Sequence, residues 1–204
     1  MIRNLVFDYG GVVVNVHAAM VRRAFMDLRV PRWKQMLYYR RIQRLKNEYI
    51  DGVRPTDEVL DEIHSLCGRS VTRVQLSEVL GLLAGDLPPE RLHRIIELQK
   101  KYRVYVLSNI NAPLWQTCVQ QLNSLGLDVD DCFDGTFLSF EMGVAKPDEE
   151  IYRRMIAQTG MNPAETLYFD DRKDNIATGL RLGFQAHLVQ SDHLELCSAY
   201  SNLD

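Results

Sequence analysis

The chain has 204 residues, of which 46% are hydrophobic and 25% are charged, and its formal net charge is −3 at pH 7. A chain of this length and composition can bury a sizeable core, which excludes extensive disorder. Binding to nucleic acid phosphates needs clustered lysine and arginine, so a near-neutral chain without a long basic run is not expected to bind nucleic acid.

The cysteines and the N-terminus indicate the compartment. Four widely spaced cysteines form no CxxC pair, which argues against a zinc site or a disulfide framework and favours a reducing cytoplasm: Cys67, Cys118, Cys132 and Cys197. The chain reaches Asp8 before a signal-peptide apolar region could form. No apolar run approaches the roughly 20 residues of a membrane span. We therefore expect a cytoplasmic protein without a membrane partner.

Five short apolar segments, rich in β-branched and aromatic residues, are predicted to be strands. They are residues 2–7, 103–107, 135–138, 166–169 and 185–189. Most are nearly continuous in apolar residues, which is typical of parallel strands covered on both faces. Helix-like stretches at 113–125, 147–158 and 174–182 lie between the last four predicted strands. The pattern predicts an α/β fold with a doubly wound, mainly parallel sheet.

Residues 17–85 interrupt this alternation. The interval contains no convincing strand and predicts helices at 18–28, 32–49, 56–66 and 71–83. Thr56 is expected to be the N-cap of the third, with Asp57 and Glu58 in its first turn. We therefore predict an α/β core formed by residues 1–16 and 86–204, with an inserted helical domain at 17–85.

Polar residues follow the predicted strands at the end where a parallel sheet binds ligands. The first strand ends in Asp8, followed by Tyr9-Gly10-Gly11. The second ends in Ser108-Asn109, Lys146-Pro147 follows the third, and the fourth ends in Asp170-Asp171. Carboxylates brought together there would repel one another. A divalent cation removes that repulsion, and oxygen ligands favour magnesium.

A lysine and a metal together also neutralise a phosphate dianion, which would otherwise repel an attacking carboxylate. Ser108 and the backbone amides at the following helix start could hold phosphate oxygens. The strand ends therefore predict a site for a phosphorylated ligand.

Four segments, taken in order, resemble the four ordered motifs of the haloacid dehalogenase-like hydrolase superfamily. They are Phe7-Asp8-Tyr9-Gly10-Gly11-Val12, Leu107-Ser108-Asn109, Val144-Ala-Lys146-Pro147 and Phe169-Asp170-Asp171-Arg-Lys-Asp-Asn175. The match spans the whole predicted core, and residues 17–85 stand where the family carries a helical cap. The resemblance implies a magnesium-dependent phosphatase acting on a small phosphorylated metabolite, with a sugar phosphate as the leading substrate class.

The resemblance also implies a role for each matching residue. Asp8 is the expected nucleophile, which forms an aspartyl-phosphate. Ser108, Asn109 and Lys146 are expected to bind the phosphorylated substrate, and Ser108 and Lys146 to assist catalysis.

The expected metal ligands are Asp8, Asp171 and the backbone carbonyl of Gly10. Asp170 is expected to orient a metal-bound water, and Asn175 to position Lys146 or the metal's waters without binding the metal directly.

One residue departs from the family's phosphatase pattern. Phosphatases of the superfamily usually carry a second aspartate two residues after the nucleophile, and it protonates the leaving group and then activates water. Gly10 stands at that position here, as in a subgroup with an Asp-x-Gly pattern that includes enzymes similar to α-D-glucose-1-phosphate phosphatase. The general acid and base therefore remain unassigned.

Other interpretations stay open at this point. A metal-free 2-haloacid dehalogenase would use Asp8 to attack carbon, although it has no need for adjacent acids at 170 and 171. A catalytically weak relative that binds a phosphorylated ligand or a protein is favoured only by Gly10. Ser108-Asn109 could instead cap a helix, and Tyr38-Tyr39-Arg40-Arg41 could either contact substrate or form an ordinary helix surface. The oligomeric state cannot be inferred from these features.

Overall fold

A computed structural model describes residues 1–28, 30–68 and 71–189 of the chain. Cys197 and the rest of the predicted core beyond residue 189 lie outside the described residues. In the described ranges, no helix combines the length and the apolar character needed to cross a bilayer.

Five parallel strands form one sheet in the order β3-β2-β1-β4-β5. They are β1 (Asn4–Phe7), β2 (Arg103–Ser108), β3 (Gly135–Leu138), β4 (Thr166–Asp170) and β5 (Gln185–Leu188). The predicted doubly wound parallel sheet is therefore confirmed. The strand that carries the expected nucleophile at its end lies at the centre.

The helices flank this sheet or lie between β1 and β2. They are α1 (Ala18–Asp27), α2 (Arg32–Asp51), α3 (Thr56–Cys67), α4 (Arg73–Gly81), α5 (Pro89–Gln99), α6 (Ala112–Ser124), α7 (Val129–Cys132), α8 (Ser139–Met142), α9 (Glu149–Thr159) and α10 (Lys173–Arg181). Short 3₁₀ turns follow at Leu82–Ala84 and Pro163–Glu165. We call residues 18–84 the helical segment.

The central strand is buried on both faces. Leu5 and Phe7 pack into a core cluster with α5 and α6, whereas Val6 joins a second cluster on the opposite face together with Tyr168. Phe7 also stacks on Phe169 of the neighbouring strand, with ring centroids 4.9 Å apart. Burying each of these side chains contributes about 1.5–3 kcal/mol, which fixes the position of the residue that follows the strand.

The helical segment leaves and rejoins the sheet-forming part at adjacent points. Asn15 and Asp86 form an antiparallel bridge in which the Asn15 N–H donates to the Asp86 carbonyl at 2.8 Å and the Asp86 N–H donates back at 3.1 Å. This pairing lies next to the predicted boundaries of the helical domain. The division into a core of residues 1–16 and 86–204 and a helical domain of residues 17–85 stays a prediction.

The expected helix cap at Thr56 is wrong. Pro55 is the N-cap of α3, and Thr56 is the first helical residue. Proline fixes its own φ and has no N–H to leave unsatisfied, so the helix begins immediately after it without a side-chain cap. Side-chain capping occurs instead at α4, where Thr72 and Gln75 form a reciprocal capping box.

Two helical glycines give a matched test of packing against the sheet. A Cβ at Gly179 in α10 would lie 2.9 Å from Cδ1 of the buried Tyr168 ring, whereas one at Gly81 in α4 meets no atom within 4 Å. Gly179→Ala should lower the free energy of unfolding by about 1 kcal/mol or more, since overpacking outweighs the gain in helix propensity. Gly81→Ala should raise it by up to about 1 kcal/mol. Urea titration of both variants measures the difference, and equal shifts would contradict this packing.

Candidate active site

The polar residues at the strand ends meet around one cavity of about 210 Å³. The register places Phe7 level with Val106 of β2 and with Phe169 of β4, so the residues that follow these strands are neighbours. The expected site residues lie on the cavity wall, apart from the buried Asp170 behind it: Asp8, Gly10, Ser108, Asn109, Lys146, Asp171 and Asn175.

Asp8 is nearly buried and is held from two sides. Its Oδ1 accepts a hydrogen bond from the Tyr9 N–H at 2.7 Å and lies 3.0 Å from the Lys146 ammonium. Burial raises the pKa of Asp8 to about 7, the charge of Lys146 opposes the rise, and the charges of Asp170 and Asp171 add to it. A cation in addition to Lys146 is therefore needed to keep this carboxylate ionised below neutral pH.

Lys146 is completely buried between carboxylates. Its Nζ donates to Asp170 Oδ2 at 2.7 Å and to the Leu107 carbonyl at 2.6 Å, in addition to its contact with Asp8. Burial disfavours the charged lysine, but the charges of Asp170 and Asp8 outweigh it and hold the pKa of Lys146 above its ordinary value. The ammonium is thus a permanent positive charge beside Asp8.

Asp170 uses both oxygens within the protein. Oδ1 accepts from the Arg172 N–H at 2.8 Å and from Asn175 Nδ2 at 2.9 Å. Oδ2 accepts from Lys146, from Asn175 Nδ2 at 3.0 Å and from the Tyr168 hydroxyl. Asn175 is therefore linked to Lys146 through Asp170, and no direct hydrogen bond joins the two side chains among the described residues.

The oxygen atoms suit a divalent cation. Asp8, Asp170 and Asp171 each present a carboxylate oxygen, and these atoms lie within 4.8 Å of one another. Burial and the charge of Asp170 raise the pKa of Asp171, and the charges of Lys146 and Arg172 only partly oppose the rise. Because the oxygens of Asp170 are already hydrogen-bonded, Asp8 and Asp171 are the better ligands. Oxygen ligands of this kind fit magnesium.

The positions of Gly10 and Gly11 differ in whether they can accept a side chain. Gly11 has φ +79°, and an added Cβ would lie 2.7 Å from Asp171 Oδ2, so this position needs glycine for two reasons. Gly10 has no such φ, and its added Cβ would meet only Val16 Cγ2 at 3.5 Å. A side chain at Gly10 is therefore sterically possible.

Ser108 and Asn109 play different parts. The Ser108 side chain lines the cavity, is 2% exposed, and makes no hydrogen bond to the described part of the chain. The Asn109 amide is fully engaged: Nδ2 donates to the Lys146 carbonyl at 2.8 Å and to Asp51 Oδ1 at 3.0 Å, and Oδ1 accepts from the Lys146 N–H. Neither residue caps α6, because Asn111 does so by accepting from the Leu114 N–H.

Several polar residues of the cavity wall, among them Asn47, Asp51 and Arg172, were missed from the sequence. Asp51 at the end of α2 and Arg172 after β4 both line the cavity. Asp51 lies beyond the predicted end of its helix at residue 49, and nothing in the local sequence relates it to a strand end. The candidate substrate contacts Tyr38, Tyr39, Arg40 and Arg41 do not line the cavity. Arg41 instead forms an ion pair with Glu62.

Comparisons with known proteins agree with this arrangement. A family model described as haloacid dehalogenase-like hydrolase matches residues 2–183. D-ribitol-5-phosphate phosphatase of Bacteroides thetaiotaomicron is 31% identical over 193 residues, which cover 91% of this chain and 90% of the relative. A predicted HAD-like family hydrolase from Porphyromonas gingivalis has a TM-score of 0.84 and 30% identity over 100% of this chain and 98% of its own.

A second similar structure contains ligands. A HAD family enzyme from Bacteroides thetaiotaomicron, solved in complex with magnesium and inorganic phosphate, has a TM-score of 0.82. It is 27% identical to this chain over 96% of the chain and 99% of its own length. The predicted family resemblance is confirmed.

The contrast between the two glycines can be tested directly. Gly11→Ala should destabilise the protein by about 1–2 kcal/mol, because the left-handed backbone penalises a side chain and the new Cβ displaces Asp171. It should also weaken magnesium binding. Gly10→Ala is the matched control and should change the free energy of unfolding by less than about 0.5 kcal/mol. Chemical denaturation and magnesium calorimetry provide the measurements, and a Gly11→Ala protein as stable as the control would refute the local geometry.

Proposed function

The chain belongs to the haloacid dehalogenase-like hydrolase family, and from this premise we propose that it is a magnesium-dependent phosphatase of a small phosphorylated metabolite. The observation that carries the proposal is the Asp8 carboxylate paired with a buried Lys146 ammonium and facing Asp171 across one small cavity. The reaction would proceed through an aspartyl-phosphate on Asp8.

Magnesium would be held by Asp8, Asp171 and the Gly10 carbonyl. When bound, it would neutralise charge on the substrate phosphate and on the crowded carboxylates. That neutralisation matters here because burial, together with the charges of Asp170 and Asp171, raises the pKa of Asp8 to about 7 even beside Lys146, and a protonated carboxyl group cannot attack.

The remaining core residues would bind and orient the phosphoryl group. Ser108 has a hydroxyl free of other described partners and would donate to a phosphate oxygen. Lys146 would attract the dianion while keeping Asp8 fixed at 3.0 Å. Asn109 would contribute through its backbone N–H, since its side chain is occupied. Asp170 and Asn175 would hold Lys146 in position.

A sugar or sugar-alcohol phosphate is the proposed substrate class. A cavity of about 210 Å³ has room for a small ligand and not for a large nucleotide conjugate or a protein. The similarity to D-ribitol-5-phosphate phosphatase over 91% of the chain supports a phosphorylated polyol. Polar groups on the wall, including Asn47, Asp51 and Arg172, could bind hydroxyl groups.

Two other activities make different demands on the site. A metal-free dehalogenase would gain nothing from Asp171 beside Asp8, because the added charge only opposes ionisation of the nucleophile. A catalytically weak relative is favoured by Gly10, which supplies no general acid. Turnover measurements distinguish all three activities.

A phosphate-release screen tests the proposal. Purified protein should release phosphate from one or more small phosphorylated metabolites in the presence of magnesium. Excess chelator should abolish release, because Asp8 and Asp171 lose their counter-charge, and added magnesium should restore it. Undiminished turnover of a 2-haloacid in chelator would instead establish the dehalogenase. Absence of release from the whole panel would favour the binding protein.

Asp8→Asn tests the nucleophile. The amide is a poor nucleophile, so turnover should fall by about 10³-fold or more. The fold should remain, because the change is nearly isosteric. The folded-state pKa of Asp8 is raised from 3.8 to about 7, so the folded protein favours the protonated carboxyl group. The contribution of Asp8 to the free energy of unfolding is therefore fully present below pH 3.8 and is lost as the pH rises through 7. At pH 8, the metal-free variant should therefore melt at a temperature equal to or above that of wild type.

The measurements are phosphate release at saturating magnesium and thermal melting at pH 4 and pH 8. Magnesium affinity should fall at the same time, because one charged ligand is lost. A folded variant that keeps most of its activity would overturn the role of Asp8.

A further inference from the structure

Asp51 is the carboxyl group on the cavity wall that has no part in the proposed phosphoryl-binding machinery. It comes from the helical segment, at the last position of α2, whereas Asp8 and Asp171 come from the sheet. The same cavity wall therefore carries, besides the acids that follow the strands, one carboxyl group contributed by the helical segment.

Contacts with the core fix the position of Asp51. Oδ1 accepts a hydrogen bond from Asn109 Nδ2 at 3.0 Å, and the same amide group holds the Lys146 carbonyl at 2.8 Å. The Asp51 carbonyl accepts a hydrogen bond from the Ser139 hydroxyl. Oδ2 accepts no hydrogen bond from the described residues. One carboxylate oxygen is therefore anchored next to the phosphate-binding residue Ser108, and the other is free to act.

Resting on the proposed phosphatase activity, we propose that Asp51 is the general acid and base that replaces the side chain missing at Gly10. In the first step, the Asp8 carboxylate forms a bond to phosphorus while the bond to the ester oxygen breaks. Asp51 gives its proton to that oxygen, so the alcohol leaves neutral and Asp51 becomes a carboxylate.

The second step returns every group to its starting state. Asp51 takes a proton from water as the water oxygen bonds to phosphorus, and the bond between phosphorus and Asp8 breaks. Inorganic phosphate leaves, Asp8 is again a carboxylate, and Asp51 again carries its proton. The sum is hydrolysis of the phosphate ester by one water, with no other reactant.

The surroundings of Asp51 favour the protonated form needed for the first step. Burial raises the pKa of its carboxyl group, and the hydrogen bond from Asn109 and the charge of Arg172 oppose the rise. Glu48 on the same helix adds to the increase, and Lys146 reduces it. A general acid works best when its pKa approaches the working pH, so a raised value is useful here.

Asp51→Asn isolates this role. Asparagine can still accept the hydrogen bond from Asn109 through its carbonyl, and the Ser139 contact uses the backbone, so the fold should survive. Asp27→Asn is the matched control: Asp27 is an exposed acid of α1 that does not line the cavity. Both variants lose one negative charge from the helical segment.

The substrates are D-ribitol 5-phosphate, whose alkoxide needs a proton to leave, and p-nitrophenyl phosphate, whose phenolate does not. For Asp51→Asn, kcat/KM on ribitol 5-phosphate should fall by about 10²–10⁴-fold, while kcat/KM on p-nitrophenyl phosphate changes little. On the aryl ester, loss of the base should slow the second step. A burst of nitrophenolate should therefore precede steady-state turnover, and kcat should be lower than that of the wild type. The alkaline limb of the wild-type kcat/KM profile on ribitol 5-phosphate should disappear.

The double variant Gly10→Asp/Asp51→Asn adds a rescue. A Cβ at Gly10 has only an ordinary contact with Val16, so an acid at that position can be accommodated and should restore part of the lost rate. Asp27→Asn should behave as wild type.

Failure of this inference differs from failure of the proposed function. Wild-type protein inactive on both esters and on the whole metabolite panel would remove the proposed function itself. Active wild type with an unchanged Asp51→Asn variant would overturn the role of Asp51 alone. A raised KM with unchanged kcat would assign Asp51 to alcohol binding, and equal losses on both esters without a burst would assign it to structure. Either result would also overturn the proposal.

Discussion

The buried ammonium of Lys146 lies between two carboxylates, Asp8 at 3.0 Å and Asp170 at 2.7 Å, that would repel each other without it. An unpaired buried charge is strongly destabilising, by about 3–5 kcal/mol when one partner is removed, so all three groups must stay in register. They come from the ends of β1 and β4 and from the loop before α9. Tyr168 and Asn175 complete the hydrogen bonding of Asp170. The sheet positions the residues of the site, and the Lys146 ammonium sets the distance between Asp8 and Asp170.

The helical segment is attached to this core through the end of α2. The last carbonyls of a helix have no donors within it. Core side chains supply donors here, since Asn111 donates to the Tyr49 carbonyl and Ser139 to the Asp51 carbonyl, while Asn109 donates to the Asp51 carboxylate. Asn109 also holds the backbone of the Lys146 loop. One asparagine therefore links the part of the site that would bind phosphate to the part that would meet the rest of the substrate.

Local patterns predicted the sheet and the groups at its strand ends. Continuous apolar runs indicate buried parallel strands, and parallel strands bring their carboxyl ends together, which is why Asp8, Ser108 and Asp171 could be grouped. Helix α5 was not predicted, although the buried Leu92, Ile95 and Leu98 have helical spacing. Asp51 was missed because its place beside Asn109 comes from packing between distant segments, and no spacing along the chain encodes that contact.

The order of the strands also determines when the central strand can be completed. β1 precedes both of its partner strands along the chain: Asn4 pairs with Arg103 on one side and with Thr166 on the other. Such distant partners give the fold a high contact order, which slows folding because long loops must close first. A nascent chain therefore carries β1 with an unpaired edge until β4 has been synthesised. An apolar strand edge that stays unpaired during synthesis is the consequence of placing the proposed nucleophile at the centre of the sheet.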